Sequence, residues 1–270
     1  MKLRKRGKVV LVAVTLVVSA AGCNNSSNGL KKAGEEQVTV VDEQVTVVDE
    51  QKTEAVVEGN TLTYGNHRYE VTGSIDPQGV VPGRRQDKPT AAVSFTNVPS
   101  DYDEFEAVYT ALLGKSVQGA VAMVPMALEL YARDAGVGER CLQLLCNSTS
   151  TVSGIVRILK TKLVPSQYGG GNDSYIQRYL PAALLKGATP ANAYTPQQPY
   201  TVEMTASVNK PQQSSMGQVT YVYILAKGWD TEQRTVEVLL PADGNLYKVF
   251  NCPSCYTQCK QIKGTWEGLR

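Results

Sequence analysis

From about residue 100 onward the hydrophobic period of this chain changes once, and that change limits what it can fold into. Between about residues 100 and 186 apolar residues recur at helical spacing. After a proline-rich connector at 189–199 they fall at every second position. A helix buries a stripe and a strand buries alternate residues, so a helical layer followed by a sheet is expected.

Ser100 caps the first predicted helix, with Asp103 at the capping-box position. Phe105, Val108, Tyr109, Leu112 and Leu113 share one face, and Gly114 stops it. Residues 117–133 are apolar nearly all round, which predicts a buried central helix that Pro125 kinks or splits. Further helices are expected over 139–146 and 152–163, and a fifth over 173–186, interrupted by Pro181. Beyond the connector, Val202, Met204, Ala206 and Val208 point one way along the first of four strands. Residues 219–226 are apolar on both faces, as a central strand should be. Val236, Val238 and Leu240 alternate again, and a last strand covers 246–250. Upstream, 61–71 reads as a hairpin about Gly65-Asn66, 76–90 as a loop carrying Arg84-Arg85, and 91–95 as a strand. The expectation is an α+β domain over 59–270, with about five helices packed on a C-terminal antiparallel sheet of about four strands, plus an N-terminal hairpin. A chain of that length buries ~70% of its unfolded surface and need not depend on disulfides.

The segment before this domain concerns location. Lys2, Arg4, Lys5, Arg6 and Lys8 precede an apolar run at 9–21, too short to span a bilayer, which needs ~20 residues. Ser19, Ala20, Ala21 and Gly22 lead to Cys23. That segment resembles the lipobox of bacterial lipoproteins, although Ala20 stands where leucine is commoner. The resemblance implies cleavage of 1–22 between Gly22 and Cys23 and acylation of Cys23. It also implies an exported protein held to the cell envelope, at the outer membrane or cell surface rather than the plasma membrane. Without that resemblance the leader is an ordinary signal peptide and Cys23 a free thiol. Residues 23–58 then read as a tether, polar after Cys23 and containing EQVTVVD twice in tandem, at 36–42 and 43–49. Two copies rich in Val and Thr are too few and of the wrong content for a coiled coil.

Charge excludes one class of partner. Five of the 27 basic residues and none of the 25 acidic ones lie in the leader, leaving a net charge of about −3 on the remainder. Without a basic patch or zinc-finger spacing, no nucleic acid is implied.

Chemistry, if any, lies with Cys141, Cys146, Cys252, Cys255 and Cys259. Three readings stay open beside that of plain buried or free thiols. In an oxidising compartment they form at most two disulfides. On a helix over 139–146, Cys141 and Cys146 point about 140° apart, so each would pair with the C-terminal group. Alternatively C-x2-C-x3-C supplies three thiolates to zinc, with Cys141, Cys146 or the sole histidine, His67, as the fourth ligand. Third, Cys252-Pro-Ser-Cys255 after a strand resembles the thioredoxin arrangement, although no βαβ unit surrounds it.

Other constellations are absent. One histidine excludes HExxH and argues against a Ser-His-Asp triad. Gly169-Gly170-Gly171 lacks a following Gly-Lys-Ser/Thr and is a loop, with no phosphate cradle. Asp101, Asp103, Glu104 and Glu106 suit the first turn of a helix. Trp229, Trp266 and Tyr256 could stack on a sugar or cap a core edge.

The stretch 95–199, with FTNVPSDYDEFEAVYTALLGKS and QRYLPAALLKGATPANAYTPQQPYTVEM, resembles a domain of unknown function found in secreted and lipid-anchored bacterial proteins. That resemblance implies export and no activity, catalytic residue or cofactor. The leading expectation is a non-enzymatic, membrane-anchored envelope module that binds a protein or glycan. The alternatives are a thiol-redox or zinc protein using Cys252, Cys255 and Cys259, and a structural envelope component.

Overall fold

The chain divides into two units, Met1–Asp49 and Glu50–Arg270. The computed structural model describes residues 53–80, 87–163, 177–262 and 264–269, all within the second unit. Gly22 and Cys23, the EQVTVVD repeats, Arg84-Arg85 and the glycine run lie outside the described residues.

The sheet is much larger than the sequence suggests. Nine strands among the described residues form one antiparallel sheet: β1 (Ala55–Glu58), β2 (Thr61–Tyr64), β3 (His67–Gly73), β4 (Ala91–Phe95), β5 (Tyr200–Ala206), β6 (Gln212–Ser214), β7 (Gly217–Leu225), β8 (Gln233–Pro241) and β9 (Lys248–Asn251). Their order is β1-β2-β3-β4-β5-β7-β8-β9, with β6 also on β7. The hairpin about Gly65-Asn66 forms, with Tyr64 opposite His67 and Gly65 at φ +58°. It is no separate appendage, because β3 pairs with β4 and β4 with β5. The expected four-stranded C-terminal sheet is therefore one side of a continuous sheet. Strand β1 lies in the last residues of the expected tether.

The register across this join explains why the two halves associate. Tyr69 lies opposite Phe95, and Phe95 opposite Tyr200. Their rings form a row, 6.4 Å and 5.6 Å between centroids. Such cross-strand aromatic pairs carry packing that short strands lack alone.

Four α-helices, not five, are present among the described residues: α1 (Tyr102–Ala111), α2 (Val117–Arg133), α3 (Ala135–Leu145) and α4 (Thr149–Lys162). All lie within the connection from β4 to β5. Asp101 rather than Ser100 caps α1, its Oδ1 accepting from the Glu104 amide. Helix α2 runs through Pro125 as one element, buried from Val117 to Ala132, against β4, β8 and β9 and under α1 and α3. Gly138 lets α3 approach it, since a Cβ there would lie 2.1 Å from Tyr131 Cα.

The expected fifth helix is not a helix where it is described. Residues 177–186 make turns and one 3-10 turn, Ala182–Leu184. Pro181 lacks the amide that an α-helix needs. Leu180, Ala182, Ala183, Leu184 and Leu185 are all buried, so no solvent face exists for an amphipathic helix to keep.

Candidate functional site

The five cysteines beyond Cys23 are all buried, none is bridged to another in the structure, and they do not form one group. Cys141, in α3, lies near the start of α1, where the charge of Asp101 acts on it. Cys259 is held by Gln177, whose Oε1 accepts from its amide at 2.8 Å and whose Nε2 donates to its carbonyl at 2.7 Å. Cys146, Cys252 and Cys255 are neighbours: a charge on Cys255 or Cys146 bears on Cys252. Cys146 ends α3 with extended backbone and bridges to Val249 of β9, and the Asn147 amide donates to the Val249 carbonyl at 3.1 Å. Cys252 and Cys255 bound the 3-10 turn after β9.

Burial controls the chemistry of these sulfurs. It pushes Cys141, Cys146, Cys255 and Cys259 up to about 12 and Cys252 well above its ordinary value. The guanidinium of Arg234 pulls Cys255 the other way without overcoming burial. A nucleophilic thiol needs the opposite environment, electropositive and partly exposed. Among the described residues no three His, Cys, Asp or Glu side chains assemble as a metal site.

His67 is engaged elsewhere. Its Nδ1 lies 2.6 Å from Glu104 Oε1, which also accepts from the Tyr69 hydroxyl at 2.7 Å, while Oε2 accepts from the Ser100 amide at 2.7 Å. Glu104 is 2% exposed. This carboxylate ties the β2–β3 hairpin to α1. Burial first, and the Glu104 charge second, raise the Tyr69 phenol. The sequence carried a signal for it, because Asp101-x-x-Glu104 has capping-box spacing one residue later than Ser100-x-x-Asp103.

Arg234 was not readable as special, yet it is 9% exposed. Its Nη2 donates to the Thr231 carbonyl at 2.6 Å and its Nη1 to that of Ser254 at 3.5 Å, and its Cζ lies 4.8 Å from the Trp229 ring centre. It shares the inward face of β8 with Val236 and Val238, a placement visible in the alternation. The three aromatic candidates separate: Trp229 stacks on Arg234, and Trp266 meets Tyr179 edge-on at 6.2 Å. Each borders a different surface hollow, Trp266 beside Tyr200 and Trp229 beside Lys260, and Tyr256 borders the largest of the three.

That surface is a cleft of about 560 Å³ between the start of α4 and the end of β9. Ser148, Ser150 and Thr151 form one wall with Asn147; Asn251, Phe250 and Tyr256 form the other. Met216, 46% exposed, comes from the β6–β7 turn. No lining side chain is charged. Each neighbouring thiol adjoins a wall residue in sequence: Cys146 precedes Asn147, Cys252 follows Asn251, and Cys255 precedes Tyr256. A second cleft, about 380 Å³ near Leu185 and Ala226, is charged instead. Four of its charges answer one another, Lys186 to Glu203 at 2.7 Å and Lys227 to Glu232 at 3.9 Å, and Asp87 adds a negative one.

Residues 97–263 match the family described as a domain of unknown function, DUF6935. This is more than half of the chain, and the chain belongs to that family. The match starts after β4, the strand that pairs with β5 on that side, so β1 to β4 lie outside it. No curated protein matches the chain, and no solved structure does.

Proposed function

We propose that this protein is an exported, lipid-anchored module of the bacterial cell envelope, held through Cys23, that binds a neutral glycan in the cleft between α4 and β9. The uncharged lining of that cleft carries the reading. Hydroxyl and amide groups from Asn147, Ser150, Thr151 and Asn251 suit the many donors and acceptors of a sugar, and Phe250 offers an apolar edge. A charged ligand would leave its charge unanswered there. The lipobox-like end of the N-terminal segment supports the location.

The observations favour binding over thiol chemistry, because the sulfurs are buried and His67 is committed to Glu104. Binding of the full chain to a panel of neutral envelope oligosaccharides, measured by calorimetry, tests the proposal. Asn251→Ala is expected to weaken binding about tenfold, roughly one hydrogen bond's contribution. If no neutral glycan binds, or if Asn251→Ala binds as the parent does, the cleft is not a glycan site. Labelling with radioactive palmitate, lost in Cys23→Ser, tests the anchor.

A further inference from the structure

We propose that Cys252 and Cys255 close a disulfide beneath the cleft, whatever the cleft binds. The geometry of the turn between them carries this. The Cys255 amide donates to the Cys252 carbonyl at 3.0 Å, closing a four-residue turn. Such a turn holds the outer Cα atoms within ~7 Å, and a disulfide requires ~4.4–6.8 Å. Cys252 caps that 3-10 turn and Cys255 is its last residue, so only Pro253 and Ser254 separate the two. Cys252 is 2% exposed and Cys255 fully buried, so nothing from solvent competes for either.

Cys146 is the competing partner. Its backbone bridges to Val249, three residues before Cys252 and across the bulge of β9, whereas Cys255 is joined to Cys252 by the turn's own hydrogen bond. Cys259 is held apart by both bonds to Gln177. The turn so closed carries Ser254, whose hydroxyl donates to the Thr235 carbonyl at 3.0 Å and whose carbonyl accepts from Arg234. Tyr256 comes directly after, so the cross-link fixes both the seat of Arg234 and one wall of the cleft.

A soluble disulfide such as glutathione disulfide is the oxidant. One thiolate attacks it to form a mixed disulfide and releases one glutathione thiol. The second cysteine displaces the other glutathione, so a Cys252–Cys255 S–S bond forms as the glutathione S–S bond breaks. Two electrons and two protons pass to glutathione. Both sulfurs are buried after folding, so the exchange belongs to folding, before the turn packs.

The full chain, unfolded in urea and refolded in an oxidising glutathione buffer, is acid-quenched, unfolded again and alkylated without reductant. Digestion after aromatic residues cuts at Tyr256 and separates Cys259 from the pair. The expected product is a peptide lighter by two hydrogens, with Cys252 and Cys255 joined, and alkyl groups on Cys141, Cys146 and Cys259. Cys146→Ser and Cys259→Ser are expected to keep the same linked peptide. Alkyl groups on both Cys252 and Cys255, or a link that includes Cys146 or Cys259, overturns the proposal.

Discussion

Glu104→Ala is expected to be among the most damaging single changes in the folded unit. The carboxylate is 2% exposed and receives the Tyr69 hydroxyl, the Ser100 amide and His67 within 2.6–2.7 Å. Alanine leaves those groups without their acceptor and opens a void. A buried group that loses its partner costs ~1–3 kcal/mol, more where charge is involved. His67 keeps some contact with water, at 15% side-chain exposure, which recovers part of its loss. The sum is about 3–5 kcal/mol, the usual cost of breaking a buried polar network. Total stability of a domain is ~5–15 kcal/mol, so the urea midpoint at neutral pH should fall steeply with an unchanged slope. Glu104→Gln keeps one acceptor oxygen and should cost about 1–2 kcal/mol. In a double-mutant cycle, Tyr69→Phe should lose most of its effect once Glu104 is alanine. A Glu104→Ala protein within ~0.5 kcal/mol of the parent would refute this reasoning, since surface substitutions already reach that.

Two glycines should respond in opposite directions. Gly138→Ala drives a Cβ to 2.1 Å from Tyr131 Cα and should destabilise by more than the ~1 kcal/mol of helix propensity it gains; Gly154→Ala meets nothing within 4 Å and should stabilise by ~0.5–1 kcal/mol, both read as urea midpoints. Burial raises the carboxyl of Glu129 despite Arg133 at 2.8 Å, so its favourable contribution is present at acid pH and is lost as pH rises through the folded value. Glu129→Gln should therefore gain on the parent between pH 4 and 7, and a gap that stays constant or narrows would contradict it. In the reduced Cys23→Ser protein, thiolate absorbance near 240 nm should stay flat from pH 7 to 9, below the tyrosine range, and rise on unfolding at pH 9, because burial holds four of the thiols at about 12; a rise in the folded state would show an exposed sulfur.

Much of the helical layer was legible. The all-round apolar run at 117–133 is α2 with the same bounds, and α1, α3 and α4 begin within a few residues of expectation. Their starts shifted because short polar residues compete as caps, and Asp101, Asp134 and Ser148 hold those positions. The sheet was read in pieces. Each strand is short, and whether β4 pairs with β5 across more than a hundred residues depends on contacts such as Phe95 with Tyr200 that no local pattern carries. At 177–186 a helical spacing misled, since a segment whose apolar residues are nearly all buried need not keep a helix's polar face.

The same division holds for the site. Residue type and order alone indicated the anchor-like leader, the lack of a catalytic motif and the cysteine-rich tail. They could not say that Cys141 and Cys259 sit apart from Cys146, Cys252 and Cys255, nor that a neutral cleft lies over those three. Sequence order sets local period and capping, which act over a few residues. Tertiary structure decides which distant side chains share one volume, and burial there sets the ionisation of the cysteines and commits the only histidine to Glu104.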